Sequence, residues 1–455
     1  MLALRLAIHL GLFAAAFALS WRPWHAALVT VVAAGLFGAG SHIKHGILGE
    51  PLVFSDAALV RHAIRHPRLY YAEKLARPPA LLTLAGLAVA TALWFAAEPA
   101  ILPTGGAPWL ALPPLVAAAT AWALLRPGVA RFAAGVVSDP ADPDADVRRF
   151  GLIATLILHA LVWRAAQRPS AQAGAVIAAL PAPRPAAQGP RLVVAIQCES
   201  FVDIAARGLP GPALPALEAL RAGALAFGRC RAPAEGAYTM RSEFGFLTGL
   251  PSETLGLDAL DPYLTAPAYL GRTLPELLRA SGRETLFLHP YDRRFFDRDL
   301  LVPQFGFDRF LDGRAFDDAP RFGPYVADAA VAEALEREIA SATGSAFLFA
   351  VTIENHGPWG PGRLPDTADA AEQYARHLAN ADRMIGRVAA ALKAAPGGGL
   401  LCLYGDHAPG RLLHPDLPDR RATDYLLWST AGATEVASRR DVSVDDLGRM
   451  LLAAV

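Results

Sequence analysis

Residues 192–201 read Leu-Val-Val-Ala-Ile-Gln-Cys-Glu-Ser-Phe. A short apolar run that ends abruptly in a carboxylate and a hydroxyl reads as a buried strand delivering polar groups at its end. The same form recurs three times downstream. Leu400 to Tyr404 runs into Gly405-Asp406-His407-Ala408-Pro409, Ala346 to Ile353 into Glu354-Asn355-His356-Gly357-Pro358-Trp359, and Thr285 to Leu288 into His289. Amphipathic stretches such as Val331 to Ile339 and Tyr374 to Leu392 lie between these runs. Alternating strands and helices predict an α/β domain with a mainly parallel central sheet over residues 191–455.

Upstream of this domain, Arg164 to Pro190 is rich in Ala, Pro, Gln and Arg. That composition predicts an extended linker, drawn at residues 166–190. Residues 1–165 are different again. Near-continuous apolar stretches run from about Leu6 to Ser20, Ala26 to Ser41, Pro79 to Ala97, Trp109 to Leu125 and Phe150 to Trp163. A bilayer-spanning helix needs roughly 20 mainly apolar residues, so these predict about five transmembrane helices. The second connection carries Lys44, Arg61, Arg65, Arg68, Lys74 and Arg77, and the fourth carries Arg126, Arg131, Arg148 and Arg149. The third, Glu98 to Pro108, holds no Lys or Arg. The positive-inside rule then starts the chain in the cytoplasm and leaves the α/β domain outside the inner membrane. Ala16-Phe17-Ala18 has the form of a signal-peptidase site, and cleavage there would not change the orientation of the rest. The basic stretch Arg61 to Arg77 either contacts anionic lipid heads or only sets topology.

The overall composition agrees with a membrane part joined to a globular part. Of 455 residues, 53% are hydrophobic and 18% charged, and mean hydropathy is +0.30. Basic and acidic side chains number 42 each. A balanced charge without a basic tract gives no long-range pull toward nucleic acid, which is set aside as a partner. Cys198, Cys230 and Cys402 are too few and scattered for a disulfide framework or a cysteine-based zinc site; Cys198 and Cys402 are expected to pack as small apolar side chains.

In parallel sheets chemistry gathers at the carboxyl ends of the strands. Taken singly, each acid or histidine at those ends also fits a cap or a loop contact. Together, Glu199, Asp406 and His407 offer hard oxygen and borderline nitrogen donors suited to Mn²⁺, Mg²⁺ or Zn²⁺. A hydroxyl held against such an ion becomes a nucleophile. The candidate is Thr239, in Glu235-Gly236-Ala237-Tyr238-Thr239-Met240-Arg241-Ser242-Glu243-Phe244, a turn entering a helix expected over Met240 to Thr248. A helix N-terminus favours an anion, although Thr239 as a plain N-cap explains the position equally. Glu243 is expected to fix the loop, and His414, His377, His42, His45, His62 and His66 to be surface or interfacial groups.

Three motifs in order, Glu199-Ser200, Thr-x-x-Ser-Glu-Phe at Thr239 to Phe244, and Gly405-Asp406-His407, make the region from Arg191 to Ser429 resemble the lipoteichoic acid synthase and periplasmic-glucan phosphoglycerol transferase group, within the alkaline phosphatase and sulfatase superfamily. The resemblance implies one divalent metal ion, commonly Mn²⁺, held by Glu199, Thr239, Asp406 and His407. It implies that Thr239 attacks the head-group phosphorus of a phospholipid donor such as phosphatidylglycerol, releases diacylglycerol, and passes the group to a glycan or polyol-phosphate acceptor. By the same resemblance His289, Phe295, Phe296 and Arg298 contact the phosphate and glycerol, and His356 binds phosphate or donates a proton. Arg298 suits a phosphate fork.

Two departures bear on specificity. The group commonly carries Trp-Asn ahead of that arginine, where this chain has Phe296-Asp297, and an acid near the histidine is replaced by Tyr291 with Asp292 beside it. Asp297 could repel a phosphate or recognise an ammonium, which keeps a phosphoethanolamine transferase open. Separate alternatives are a metal-dependent phosphodiesterase, because the residues do not distinguish an acceptor hydroxyl from water, and, from another class, a non-catalytic membrane scaffold. Tyr-Thr-Met-Arg-Ser around Thr239 lacks the Cys/Ser-x-Pro-x-Arg motif that formylglycine sulfatases need.

Overall fold

A computed structural model describes residues 2–66, 78–102, 105–106, 109, 111–432 and 439–455. The chain divides between Gln167 and Arg168 into two compact units.

The first unit is helical: α1 (Leu2–Ser20), α2 (Pro23–Leu48), α3 (Asp56–Arg65), α4 (Pro78–Ala97), α5 (Leu112–Leu124), α6 (Pro127–Ala134), α7 (Pro143–Phe150) and α8 (Leu152–Ala165). Each of the five apolar stretches contributes a helix, but among the described residues only α2 and α4 are long and apolar enough to cross a membrane. The expectation of five spans therefore reduces to two candidates among the described residues. Arg5–Ser20, Leu112–Leu124 and Leu152–Ala165 are shorter apolar helices. The 13 residues of α5 reach about 20 Å against a hydrocarbon core of about 30 Å. At the last stretch, Gly151 at φ 85° ends α7 after Phe150 and starts α8 afresh, so the apolar run is not one rod. Arg68, Lys74, Arg77 and parts of the third connection lie outside the described residues.

The second unit carries an eight-stranded sheet of order β10-β2-β9-β8-β1-β7-β3-β4. Its strands are β1 (Leu192–Cys198), β2 (Ala224–Arg231), β3 (Glu284–Leu288), β4 (Arg309–Leu311), β7 (Ala346–Val351), β8 (Gly399–Gly405), β9 (Ala422–Ser429) and β10 (Val442–Ser443), while β5 (Arg321–Phe322) and β6 (Tyr325–Val326) form a separate hairpin. All pairings in the sheet are parallel except those of β9 with β2 and β8. The helices are α9 (Ala171–Ala179), α10 (Pro215–Arg221), α11 (Thr239–Thr248), α12 (Leu274–Ala280), α13 (Arg298–Gln304), α14 (Asp328–Ser341), α15 (Ala370–Ala394) and α16 (Val444–Ala454).

Every residue of β1, β7 and β8 is buried, as helices on both faces require. Successive side chains point to opposite faces. Leu192, Val194 and Ile196 join a core with Leu217 of α10, Leu335 of α14 and Leu378 and Ile385 of α15. The other face is aromatic: Phe246 of α11 stacks 4.7 Å from Tyr404 and 5.7 Å from Phe349. The predicted parallel α/β domain is the one observed.

The segment expected as an extended linker holds α9. Alanine favours helix, and Ser170 caps it by accepting from the Ala173 N–H. Arginines then tie this segment to the sheet domain. Arg168 pairs with Asp258 at 2.7 Å, Arg272 donates to the carbonyls of Ile177 and Leu180, and Arg283 donates to that of Pro190.

Candidate active site

The neighbours β8, β1, β7 and β3 run parallel, so the residues that follow them gather along one edge of the sheet. Glu199 follows β1, Asp406 and His407 follow β8, His356 lies beyond β7, and His289 follows β3. The glycine of Gly405-Asp406-His407 has a steric reason: a Cβ there would stand 2.1 Å from the Phe201 carbonyl oxygen. Only the missing side chain lets the ends of β1 and β8 approach this closely.

Ser200 then locks the two carboxylates together. It adopts φ 50°, a left-handed conformation costing of order 1–3 kcal/mol for a non-glycine residue. In that pose its N–H donates to Asp406 Oδ1 at 2.8 Å and its hydroxyl to Glu199 Oε1 at 2.9 Å. The His407 N–H also donates to Asp406 Oδ1, at 2.9 Å. One oxygen of Asp406 is thus fully used. Its other, Oδ2, is buried with no hydrogen-bond partner, and so is His407 Nε2. These two atoms lie 3.3 Å apart, and His407 Nε2 is 3.4 Å from Glu199 Oε1.

Glu199, Asp406 and His407 each bring a ligand atom to within 4.8 Å of the others, all three buried. A buried carboxylate pair is costly without a cation. Burial, with the Asp406 charge, pushes Glu199 well above the usual carboxylate range. His407 donates Nδ1–H to the Ala408 carbonyl at 2.8 Å, because a carbonyl can only accept. The lone pair therefore sits on Nε2, facing the carboxylates, which is the arrangement of a metal-ligating histidine with its ring fixed from behind. Orphaned donors, burial and ligand chemistry all fit a divalent ion. With Mn²⁺ at about 100 times its dissociation constant, stability should rise by about 2.7 kcal/mol, read as a higher Tm of the purified chain. Asp406→Asn should erase that rise; a Tm insensitive to Mn²⁺ in the wild type would speak against the site.

Thr239 heads α11 and is buried, and its carbonyl accepts from Gln197 Nε2 at 3.3 Å. Ala237 and Tyr238 before it both have positive φ. The turn is pressed against the β8 exit: a Cβ on Gly236 would lie 3.3 Å from the Ala408 carbonyl oxygen, and Arg411 pairs with Glu235 at 2.7 Å. One turn further, Ser242 Oγ donates to the Asp406 carbonyl at 2.5 Å. The first turn of α11 is therefore bonded to the residue that supplies the orphaned carboxylate oxygen.

His289 donates Nδ1–H to the Val351 carbonyl at 3.0 Å, and His356 donates its own to the Gly357 carbonyl at 2.8 Å. Burial, with Arg298, holds His289 well below the ordinary imidazole range, and burial pulls His356 down from 6.5 to about 4. His356 is neutral in the fold and protonated in the unfolded chain between those values, and His289 is displaced in the same direction, so the stability that neutral His356 leaves intact above pH 6.5 is lost as pH falls toward 4. Tm should drop across that window, and less steeply in His356→Gln; equal slopes would contradict the assignment.

Arg298 does not present the expected fork. It is fully buried, and its Nε and Nη2 are taken by Glu243 at 3.2 and 2.7 Å. Tyr263 donates its hydroxyl to the same Glu243 Oε1, and the guanidinium lies 5.3 Å from the centre of the Phe296 ring. Only Nη1 remains, buried and without a partner. Glu243, expected to fix the loop at Thr239, holds the segment after His289 through Arg298. Phe296, at φ 59°, is buried against Phe295 and Tyr263.

Glu354 serves a different network. It accepts from His377 Nδ1 at 2.8 Å, from Asn380 at 2.7 Å and from the Asp328 N–H. His377 is consequently fully buried, against the surface or interfacial position expected, because a partner carboxylate waits inside; His62 and His66 are buried too. Cys198, Cys230 and Cys402 are free and buried. Sequence reasoning gave no role to Gln197, Ser200, Ser242 or Tyr263, although both serines stand inside the quoted motifs. A glutamine closing an apolar strand run and the two motif serines were the visible signals; the hydroxyl bond of Tyr263 to Glu243 crosses 20 positions, which spacing does not encode.

A family model described as Sulfatase matches residues 191–455, more than half of the chain. The chain belongs to the sulfatase family. That is the superfamily anticipated from the three motifs. This sulfatase-family chain is 33% identical over 462 residues to the capsular polysaccharide biosynthesis protein RkpI of Rhizobium meliloti (strain 1021), covering 98% of this chain and 86% of that one. Similar solved structures include the Streptococcus pyogenes phosphoglycerol transferase GacH in complex with sn-glycerol-1-phosphate, at 21% identity and TM-score 0.48, covering 62% of this chain and 78% of that one. The lipoteichoic acid synthase LtaP of Listeria monocytogenes is another, at 18% identity and TM-score 0.47, covering 59% and 73%.

Proposed function

We propose that this protein is a membrane-anchored, metal-dependent phosphoglycerol transferase that moves the phosphatidylglycerol head group, through a phospho-threonine on Thr239, to a glycan outside the inner membrane. The observation that carries the reading is the Ser242 to Asp406 bond, which ties the first turn of α11 to the Glu199, Asp406 and His407 cluster. Glu199, Asp406 and His407 would hold the ion, with the Thr239 hydroxyl as a further ligand; an ion there lowers the pKa of a hydroxyl and offsets charge on a phosphoryl oxygen. Mn²⁺ is the ion expected from the resemblance.

The chain's own residues then do the following. Thr239 Oγ forms a bond to phosphorus as the bond from phosphorus to the diacylglycerol oxygen breaks, and the threonine proton is matched by the one the leaving oxygen takes up. An acceptor hydroxyl reverses the exchange and frees Thr239. His356 carries its proton on Nδ1, so its Nε2 first accepts a proton and only afterwards returns it. This differs from the donor role drawn from the resemblance. Arg298 Nη1 and neutral His289 Nε2, both buried and unpartnered, offer one donor and one acceptor to the head group. Membrane anchoring rests on α2 and α4, and a glycan acceptor is in keeping with the name of the relative RkpI.

The test is peptide mass spectrometry after incubating the purified chain with Mn²⁺ and mixed phosphatidylglycerol and phosphatidylethanolamine vesicles. A phosphoglycerol adduct on the Thr239 peptide is expected. A phosphoethanolamine adduct would change the donor, and unconsumed lipid without an adduct would sink the reading in favour of a scaffold.

A further inference from the structure

Beside the site opens a groove of about 520 Å³ whose wall begins at Pro290 and Tyr291, the two residues after His289. The Tyr291 ring lies 6.2 Å from that of His289 and 6.4 Å from that of Tyr325, which in turn lies 5.7 Å from His356. Two tyrosines thus bridge the site histidines, and one of them is also groove wall. Its position is set from beneath. The Gly313 N–H donates to the Tyr291 carbonyl at 2.7 Å, and a Cβ on Gly313 would stand 2.9 Å from that oxygen.

The charges of the groove decide what it takes. Arg294 pairs with Asp292 at 2.8 Å and Arg293 with Asp312 at 3.5 Å. The remaining charged lining, Arg314 and Arg321 against Asp299 and Asp317, is again balanced. A chain of repeating phosphates gains no net attraction here and meets aspartates along the wall. Sugar hydroxyls both donate and accept, so interleaved guanidinium and carboxylate groups match them, and a tyrosine ring offers a flat face to a pyranose. We propose that this groove is the acceptor subsite and that it takes an uncharged stretch of oligosaccharide in preference to a polyol-phosphate chain. The proposal rests on the transferase reading above.

Arg314 and Asp317 are exposed, so replacing them leaves the core intact. The full chain, with Mn²⁺ and phosphatidylglycerol vesicles, is given either a neutral glucan oligosaccharide or a glycerol-phosphate oligomer. Diacylglycerol, modified acceptor and free glycerol phosphate are measured, and oligosaccharide binding is measured separately by calorimetry. Losing two hydrogen-bonding groups should raise the oligosaccharide KM and dissociation constant about tenfold in Arg314→Ala with Asp317→Ala, with products shifting toward free glycerol phosphate. Wild-type preference for the glycerol-phosphate oligomer, or equal oligosaccharide binding by the double variant, overturns the groove assignment. Absence of diacylglycerol from the wild type, with binding still lost in the double variant, overturns the transferase reading and leaves the groove standing as a glycan site.

Discussion

Thr239→Ala is expected to lower diacylglycerol release from phosphatidylglycerol by on the order of 10⁴-fold or more, the scale seen when a covalent nucleophile is removed. The loss is a loss of chemistry, not of fold. Thr239 is linked to its surroundings through its carbonyl, which Gln197 holds, and alanine keeps that carbonyl. Glu199, Asp406 and His407 are untouched, so Mn²⁺ should still raise Tm in the variant. Thr239→Ser, which keeps a hydroxyl on the same first turn, should recover part of the rate. Release of diacylglycerol at the wild-type rate by Thr239→Ala would remove Thr239 from the mechanism, whereas loss of both activity and the Mn²⁺ response would show that the substitution had disordered the site.

The second large effect is on stability. Arg298→Met leaves Glu243 buried beside Tyr263 without its cation, and breaking a buried pair in this way costs roughly 3–5 kcal/mol. Glu243→Leu alone should be comparably damaging, since it strands the guanidinium. The two changes together should recover much of the loss, because apolar side chains of similar volume replace a buried pair at little cost. Thermal unfolding of the three variants tests this. Additive losses in the double variant would mean that Arg298 and Glu243 are not coupled. The result matters for the proposed function, because an arginine committed to Glu243 through Nε and Nη2 orients the segment after His289 and has only the Nη1 nitrogen left to donate to a head group.

These two sites show what could be read in advance. Glu199, His289, His356, Asp406 and His407 were legible because a buried parallel strand leaves a plain mark, an apolar run broken by a polar residue, and the sheet order brings such breaks to one edge. Arg298 was found but its partner was not, since the pairing with Glu243 crosses 55 positions and depends on how α11 and α13 meet. Ser200 was quoted within a motif, yet its purpose lies in a positive φ that residue type does not announce. The span of α5 and the helix α9 were misjudged for a related reason. Apolar or alanine-rich composition states what a segment tolerates, while its length and caps decide what it becomes.

The three site histidines share one device: His289, His356 and His407 each give Nδ1–H to a main-chain carbonyl. Their tautomers are therefore inherited from the course of the backbone and owe nothing to a neighbouring side chain. Substitutions in the groove walls can accumulate without altering which nitrogen of these rings is basic. If the proposed transfer holds, a lineage with this architecture is free to exchange one acceptor for another while these tautomers stay the same.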